Sequence, residues 1–267
     1  MKLEGCHALI TGASAGIGRE FARQLAGRAS SLVLVARREE RLQELRDELT
    51  KRFPNLSIHV RRTDLSNPKE TEELIAWLER EKIEVDFLIN NAGIGDLGHF
   101  ATIDPARIDQ ILSVNIVALT MLTRRLLPQM IARKRGAILN VSSSACFTPV
   151  SGFAVYAASK AFVTNFSEAL RPEVRGKGVT VCTLCPGPVH TEFMQIAQRP
   201  DKRPYMAAPE LAHVSAEEVA RAGLAAVQKN QPLVIPGFLM KCGMFFVRLT
   251  PMSILRLASR ITAKRDR

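Results

Sequence analysis

Tyr156 and Lys160 stand four residues apart in the run VYAASKAF, Val155 to Phe162. On a helix that spacing puts both side chains on one face, one turn apart. An ammonium held near a phenol favours the phenolate, so the pair predicts a tyrosine pKa below the ordinary value of about 10. Such a tyrosine exchanges protons near neutral pH. Taken alone, the pair also suits the solvated face of an ordinary amphipathic helix. Ser143 lies thirteen residues before the tyrosine, in NVSSSACFTPV. Its hydroxyl could hydrogen-bond a substrate carbonyl, although a triple serine also suits a plain loop.

A second set of residues has the chemistry of a nucleotide site. Gly12, Gly16 and Gly18 in TGASAGIG precede a helical pattern. Glycine lets backbone approach a pyrophosphate, and a helix N-terminus offers free N–H groups and a positive dipole end. The spacing is G-x-x-x-G-x-G rather than the commoner G-x-G-x-x-G. Twenty positions past Gly16, where an acid would bind the ribose hydroxyls of NAD, stands Ala36, followed by Arg37 and Arg38. No carboxylate there repels a 2′-phosphate, and a guanidinium grips one through paired hydrogen bonds, so NADP(H) is predicted. The arginines could instead be the solvated first turn of a helix, a placement the helix dipole disfavours. Asp64 in RTDLS is placed to meet an adenine amino group. In NNAG, Asn90 to Gly93, tandem asparagines could tie loops together while Gly93 permits close approach.

The elements that must position these residues alternate. CHALIT, SLVLVA, LSIHV, DFLIN, GAILNVS, VTVCTLC and PLVI read as seven strands, most of them nearly continuous apolar runs, as strands covered on both faces must be. Helical patterns separate them, one capped by Asn67 with Pro68 at its first position. Alternation predicts an α/β fold: a parallel sheet with helices on both faces and the ligand beyond the carboxyl ends of the strands. Every motif above falls in a loop or helix start following a strand.

In that order TGASAGIG, NNAG, Asn115, Ser143, Tyr156-x-x-x-Lys160 and Pro186-Gly187 resemble the short-chain dehydrogenase/reductase family from about residue 3 to 235. The resemblance implies a single Rossmann-type doubly wound domain with a seven-stranded parallel sheet, assigned to 1–236. It implies a catalytic tetrad of Asn115, Ser143, Tyr156 and Lys160, with Lys160 also holding the nicotinamide ribose and Asn115 holding a water. Cofactor contacts are then expected from Gly12, Ser14, Gly16, Ile17, Gly18, Arg37, Arg38, Asp64, Leu65, Asn91, Ala92, Gly93, Tyr156, Lys160, Pro186, Gly187, Val189 and Thr191. It also suggests a homodimer or homotetramer. Cys146 departs from the glycine that many relatives carry after the serine run. The expected reaction interconverts a carbonyl and a secondary alcohol on a small, apolar substrate such as a 3-oxoacyl or steroid-like compound. A non-catalytic NADPH sensor is the alternative, and it would have no use for a proton donor.

The 267 residues suit one large domain. Five scattered cysteines suggest a reducing, cytoplasmic setting, and Cys182 and Cys185, three apart on a strand, should face opposite ways and not form a redox or metal pair. No signal peptide and no transmembrane helix are predicted. The net charge of +11 is concentrated: from Lys241 to Arg267 seven basic residues face only Asp266. No nucleic-acid module accompanies that charge, so nucleic acid is not an expected partner. The extension 237–267 reads as two short helices, near 237–249 and 252–261, broken by Pro251. Its apolar side is expected to cover the cleft or pack between subunits, in preference to lying on an anionic membrane. An irregular segment from Phe193 to Val214 should form the lid over the substrate.

Overall fold

The computed structural model describes residues 2–199 and 213–256. Seven strands form one parallel sheet: β1 (His7–Thr11), β2 (Ser31–Ala36), β3 (Ser57–Arg62), β4 (Phe87–Asn90), β5 (Gly136–Val141), β6 (Val179–Leu184) and β7 (Leu233–Val234), in the order β3-β2-β1-β4-β5-β6-β7. The chain winds outward from β1 to β3, then restarts at β4 on the other side of β1, pairing Ala8 with Phe87. That reversal opens a crevice beyond the carboxyl ends of β1 and β4, where α/β sheets bind their ligands.

Strand periodicity sorts the core into two layers. Ala8 and Ile10 of β1, Leu32 and Leu34 of β2, and Phe87 and Ile89 of β4 face one side. There they meet α1 (Gly16–Leu25), α2 (Glu39–Arg52) and α8 (Ala216–Gln228) through Phe21, Leu45 and Leu224. The intervening Leu9, Val33, Val35 and Leu88 face α3 (Pro68–Arg80), α6 (Ala154–Glu173) and one long helix formed by α4 (Pro105–Leu112) and α5 (Leu119–Ala132). Asn67 caps α3 as the sequence predicts, accepting from the Lys69 N–H.

Two features depart from expectation. Residues Ser113–Ala118, which join α4 to α5, form a π-helix around Asn115. The resulting helix, Pro105–Ala132, is long and apolar enough by length and composition to cross a membrane. Here Val114, Leu122, Leu126 and Met130 are buried against the sheet, so it serves as a core helix.

The extension differs more. Gly237, at φ +82°, turns the chain into α9 (Phe238–Leu249). Thr250 ends α9, Pro251 follows, and 252–256 are helical; the rest of the second expected helix lies outside the described residues. No residue of α9 is buried, and Phe238, Leu239, Phe245, Phe246 and Leu249 are exposed. Among the described residues its contacts with the domain include Met240 beneath Gly187, a residue of the cavity wall, and the Arg248 guanidinium over the Phe147 ring. In the expected lid, α7 (Phe193–Ala197) is a short helix, and 200–212 lie outside the described residues.

Candidate active site

Close packing fixes the glycine loop after β1. Gly12 has φ +69°, and a Cβ there would lie 2.8 Å from Asn91 Nδ2. A Cβ on Gly18 would lie 2.2 Å from the Gly12 carbonyl oxygen, so α1 enters closer than any other residue permits. Gly18 thus shapes the loop from behind, whereas Gly12, Ser14, Gly16 and Ile17 line the cavity. Ala15 caps α1 without a side-chain acceptor, and no acid occupies its first turn. The helix N-terminus is left for an anion, which fits a dinucleotide pyrophosphate.

Asn91 is the loop's fastening. Its Nδ2 donates to the carbonyls of Thr11 (2.9 Å) and Gly12 (3.3 Å). Thr11 Oγ1 in turn accepts from the N–H groups of Asn91 and Ala92, each at 3.0 Å. Sequence reasoning passed over Thr11, which nothing but its place at the end of β1 marks out. Asn90 ties β4 to β5, donating to Asn140 Oδ1 at 2.9 Å.

At the end of β2, Arg37 and Arg38 stand before α2, with Arg38 as its N-cap, so they are not a helical first turn. Both line the cavity, as do Asp64 and Leu65 after β3. Asp64 Oδ1 accepts from the Ser66 N–H and hydroxyl, which fixes its carboxylate. Two residues that sequence reading missed join this end. Glu192 accepts from Arg38 Nη1 at 2.7 Å and from Arg41 Nη1 at 2.6 Å, and the two guanidinium groups hold its carboxyl below the usual range. The expectation that no carboxylate stands at this end is corrected: Glu192, brought in from the loop after β6, fills the Arg38 and Arg41 guanidinium groups.

The catalytic end lies past β5. Ser143 caps the 3₁₀ turn Ser144–Phe147, its hydroxyl accepting from the Ala145 N–H at 3.2 Å, and lines the cavity together with Tyr156. Tyr156 packs edge-on against Phe153, ring centres 4.7 Å apart, and beside Phe193 at 5.2 Å. Lys160 is buried one turn on, with Nζ donating to the Val141 carbonyl at 2.8 Å. A Cβ on Gly93 would fall 3.1 Å from that Nζ and 3.6 Å from Asn115 Oδ1, so both groups converge on the space the glycine leaves. Asn115 does not line the cavity. It bonds the Ile94 N–H and carbonyl, each at 3.0 Å, and donates to Ser159 Oγ at 2.9 Å, a reach the π-helix supplies.

The electrostatics reverse one expectation. Burial pushes Tyr156 up to about 12; the Ser143 hydroxyl opposes this and the charges of Cys146 and Cys185 reinforce it. Burial lowers Lys160 to about 8. The ammonium bonds a carbonyl and stands 5.7 Å from the phenol ring centre, so desolvation outweighs its attraction for a phenolate.

Pro186, Gly187, Val189 and Thr191 close the remaining wall of a single cavity of about 790 Å³ that runs from the glycine loop to Tyr156 and Lys160. Beyond Tyr156 its walls are mostly apolar, with Leu97, Val150, Phe153, Phe193, Met194 and Ile196; Gln198, which pairs with Leu97, and His213 also line the cavity. Among the described residues no cluster of three metal-ligating side chains occurs.

Comparison with known proteins places this geometry. The family model for short chain dehydrogenases matches residues 6–202. A very-long-chain 3-oxoacyl-CoA reductase of Caenorhabditis briggsae is 34% identical over 195 residues, which span 71% of this chain and 61%, less than two thirds, of that protein. An NADP-dependent 3-hydroxy acid dehydrogenase of Escherichia coli K12 is 36% identical over 197 residues, 72% of this chain and 77% of that one. The solved structure of a short-chain dehydrogenase from Sphingobium yanoikuyae in complex with NADPH superposes with a TM-score of 0.78 at 30% identity, over 87% of this chain and 88% of that one. This chain belongs to the short-chain dehydrogenase family.

Proposed function

We propose that this chain is an NADP(H)-dependent oxidoreductase that interconverts a carbonyl and a secondary alcohol on an apolar substrate. The observation that carries the reading is the continuity of one cavity from the uncapped α1 N-terminus to Ser143, Tyr156 and Lys160. The α1 N-terminus would hold the pyrophosphate, Arg37 and Arg38 the 2′-phosphate, and Lys160 the nicotinamide ribose. Bound there, the cofactor supplies or accepts the hydride.

The side chains then manage the oxygen. With a pKa near 12, Tyr156 is fully protonated at neutral pH, the form a general acid needs in reduction. Ser143 donates to the carbonyl oxygen as negative charge develops on it. Asn115 locks the Ile94 backbone and the Ser159 turn of α6 that carries Tyr156 and Lys160. This work falls to residues 1–236, with 237–267 as an accessory.

The apolar wall selects a lipophilic carbonyl, a class to which the nematode relative's named substrate belongs. NADPH oxidation with 3-oxoacyl esters of increasing length tests it. kcat/KM should rise about fourfold per added methylene until the cavity fills, following about 0.8 kcal/mol per buried CH₂; a flat series sets the reading aside. α9 fits the same reading. Its exposed Phe238, Phe245 and Phe246, flanked by Lys241 and Arg248, suit an anionic membrane surface beside the cavity wall at Gly187. Phe245→Ser with Phe246→Ser should abolish flotation with anionic vesicles, and equal flotation of the variant refutes that placement.

A further inference from the structure

Two thiols unused by this chemistry meet beside the catalytic serine. Cys146 lies in the 3₁₀ turn that follows Ser143, and Cys185 follows β6 directly, next to Pro186 and Gly187. The two loops leave paired neighbouring strands, Val141 opposite Leu184, and the Sγ atoms come within 3.9 Å. Cys182, the other cysteine of the C-x-x-C run, is buried in the opposite core layer with α8, so the sequence motif is not the pair that forms. Cys146 is half-buried and Cys185 fully buried, which makes Cys146 the thiol an oxidant meets first. The Cys185 contact, with the Thr164 and Ser142 hydroxyls as further causes, holds the pKa of the Cys146 thiol below its ordinary value, which favours the thiolate at that position.

We propose that Cys146 and Cys185 form a redox pair in which a hydroperoxide converts the two thiols into a disulfide that disables the adjacent active site. The Cys146 thiolate attacks a peroxide oxygen: an S–O bond forms, the O–O bond breaks, and the leaving oxygen takes a proton and departs as water or alcohol. Cys146 is then a sulfenic acid. Cys185 sulfur attacks Cys146 sulfur, an S–S bond forms, the S–O bond breaks, and the hydroxyl leaves as water with the Cys185 proton. Two thiols lose two electrons and the peroxide gains them; a dithiol reductant reverses the change.

Closing 3.9 Å to the roughly 2.05 Å of a disulfide draws the two loops together. The turn that moves is capped by Ser143, and its Ser144 N–H is bonded to the Pro186 carbonyl at 2.7 Å. Ser142, directly before the Ser143 that caps this turn, donates to the Lys160 carbonyl at 2.8 Å. The disulfide therefore displaces the Ser143 hydroxyl relative to Tyr156. The loss of turnover rests on the function proposed above, whereas the bond itself does not.

The test treats reduced full-length protein with hydrogen peroxide, blocks the remaining thiols, and reads intact mass, peptide map and turnover in parallel. The wild type should carry two blocking groups fewer than untreated protein, yield a Cys146–Cys185 linked peptide, and fall at least tenfold in turnover, recovering with dithiothreitol. Cys182→Ala should behave the same way. Cys146→Ala should neither cross-link nor lose turnover, and Cys185→Ala should stop at a dimedone-trapped sulfenic acid on Cys146. Absence of the linked peptide at peroxide levels that oxidise Cys242, linkage through Cys182, or full turnover in the linked protein each overturns the proposal. Linkage in a protein that has no turnover even when reduced counts against the proposed reaction and not against the pair.

Discussion

Lys160 should be a burden on the fold it serves, and Lys160→Met exposes that burden. The drop from 10.5 to about 8 corresponds to about 3 kcal/mol of unfavourable burial of the ammonium at neutral pH. Methionine is similar in length and carries no charge. The variant forfeits the Nζ bond to the Val141 carbonyl, worth about 1–2 kcal/mol, so the net gain at pH 7 is about 1–2 kcal/mol. For a chain of this size that raises Tm by about 2–8 °C. The sign follows from proton linkage. Between pH 8 and 10.5 the unfolded wild type still binds the proton that the folded form has shed, so wild-type stability rises with pH by about 1.4 kcal/mol per unit. The variant has no such rise. Thermal unfolding of both proteins from about pH 7 to about pH 9.5 should show the variant ahead at the low end and level or behind at the high end. A variant less stable than wild type by the same margin throughout would refute the claim that a desolvated charge sits at this position.

Two further substitutions probe the cofactor end. Gly18→Ala puts a methyl 2.2 Å from the Gly12 carbonyl oxygen, so backbone must shift; it should cost about 1–3 kcal/mol and weaken NADPH binding more than tenfold. Gly243→Ala, on the exposed α9 with open space around it, should gain about 0.5–1 kcal/mol, and equal melting shifts for the two would show that packing around Gly18 is looser than described. Glu192→Gln frees Arg38 and Arg41 from their internal carboxylate. NADPH should then bind several-fold tighter by fluorescence titration while NADH is unaffected, and unchanged NADPH affinity would place the 2′-phosphate elsewhere.

The sequence yields most readily what local chemistry determines. β2 is legible to the residue and β5 to within one because strands buried on both faces are apolar throughout, and the Asn67 cap and Pro68 mark the start of α3. The glycines, arginines and the Ser143–Tyr156–Lys160 set are legible because their types and spacings are chemically specific. What escaped depends on contacts across the fold. Glu192 reaches Arg41 across 151 positions, Cys185 reaches Cys146 across 39, and Thr11 matters only because β4 lies beside β1. The tyrosine's pKa takes the opposite sign from the sequence expectation because burial, absent from a string of letters, outweighs a neighbouring charge. α9 reads as a packed helix because its residues are apolar, and hydropathy does not say which partner covers them.

In the proposed reaction Tyr156 gives the proton that completes carbonyl reduction in a cavity that also holds NADPH. The most direct measurement is a single-turnover comparison of wild type and Tyr156→Phe, each loaded with NADPH and mixed with a long-chain 3-oxoacyl ester. NADPH affinity should be equal in the two proteins, with oxidation of the bound cofactor slowed at least a hundredfold in the variant. A variant that keeps more than a tenth of the wild-type rate would contradict it.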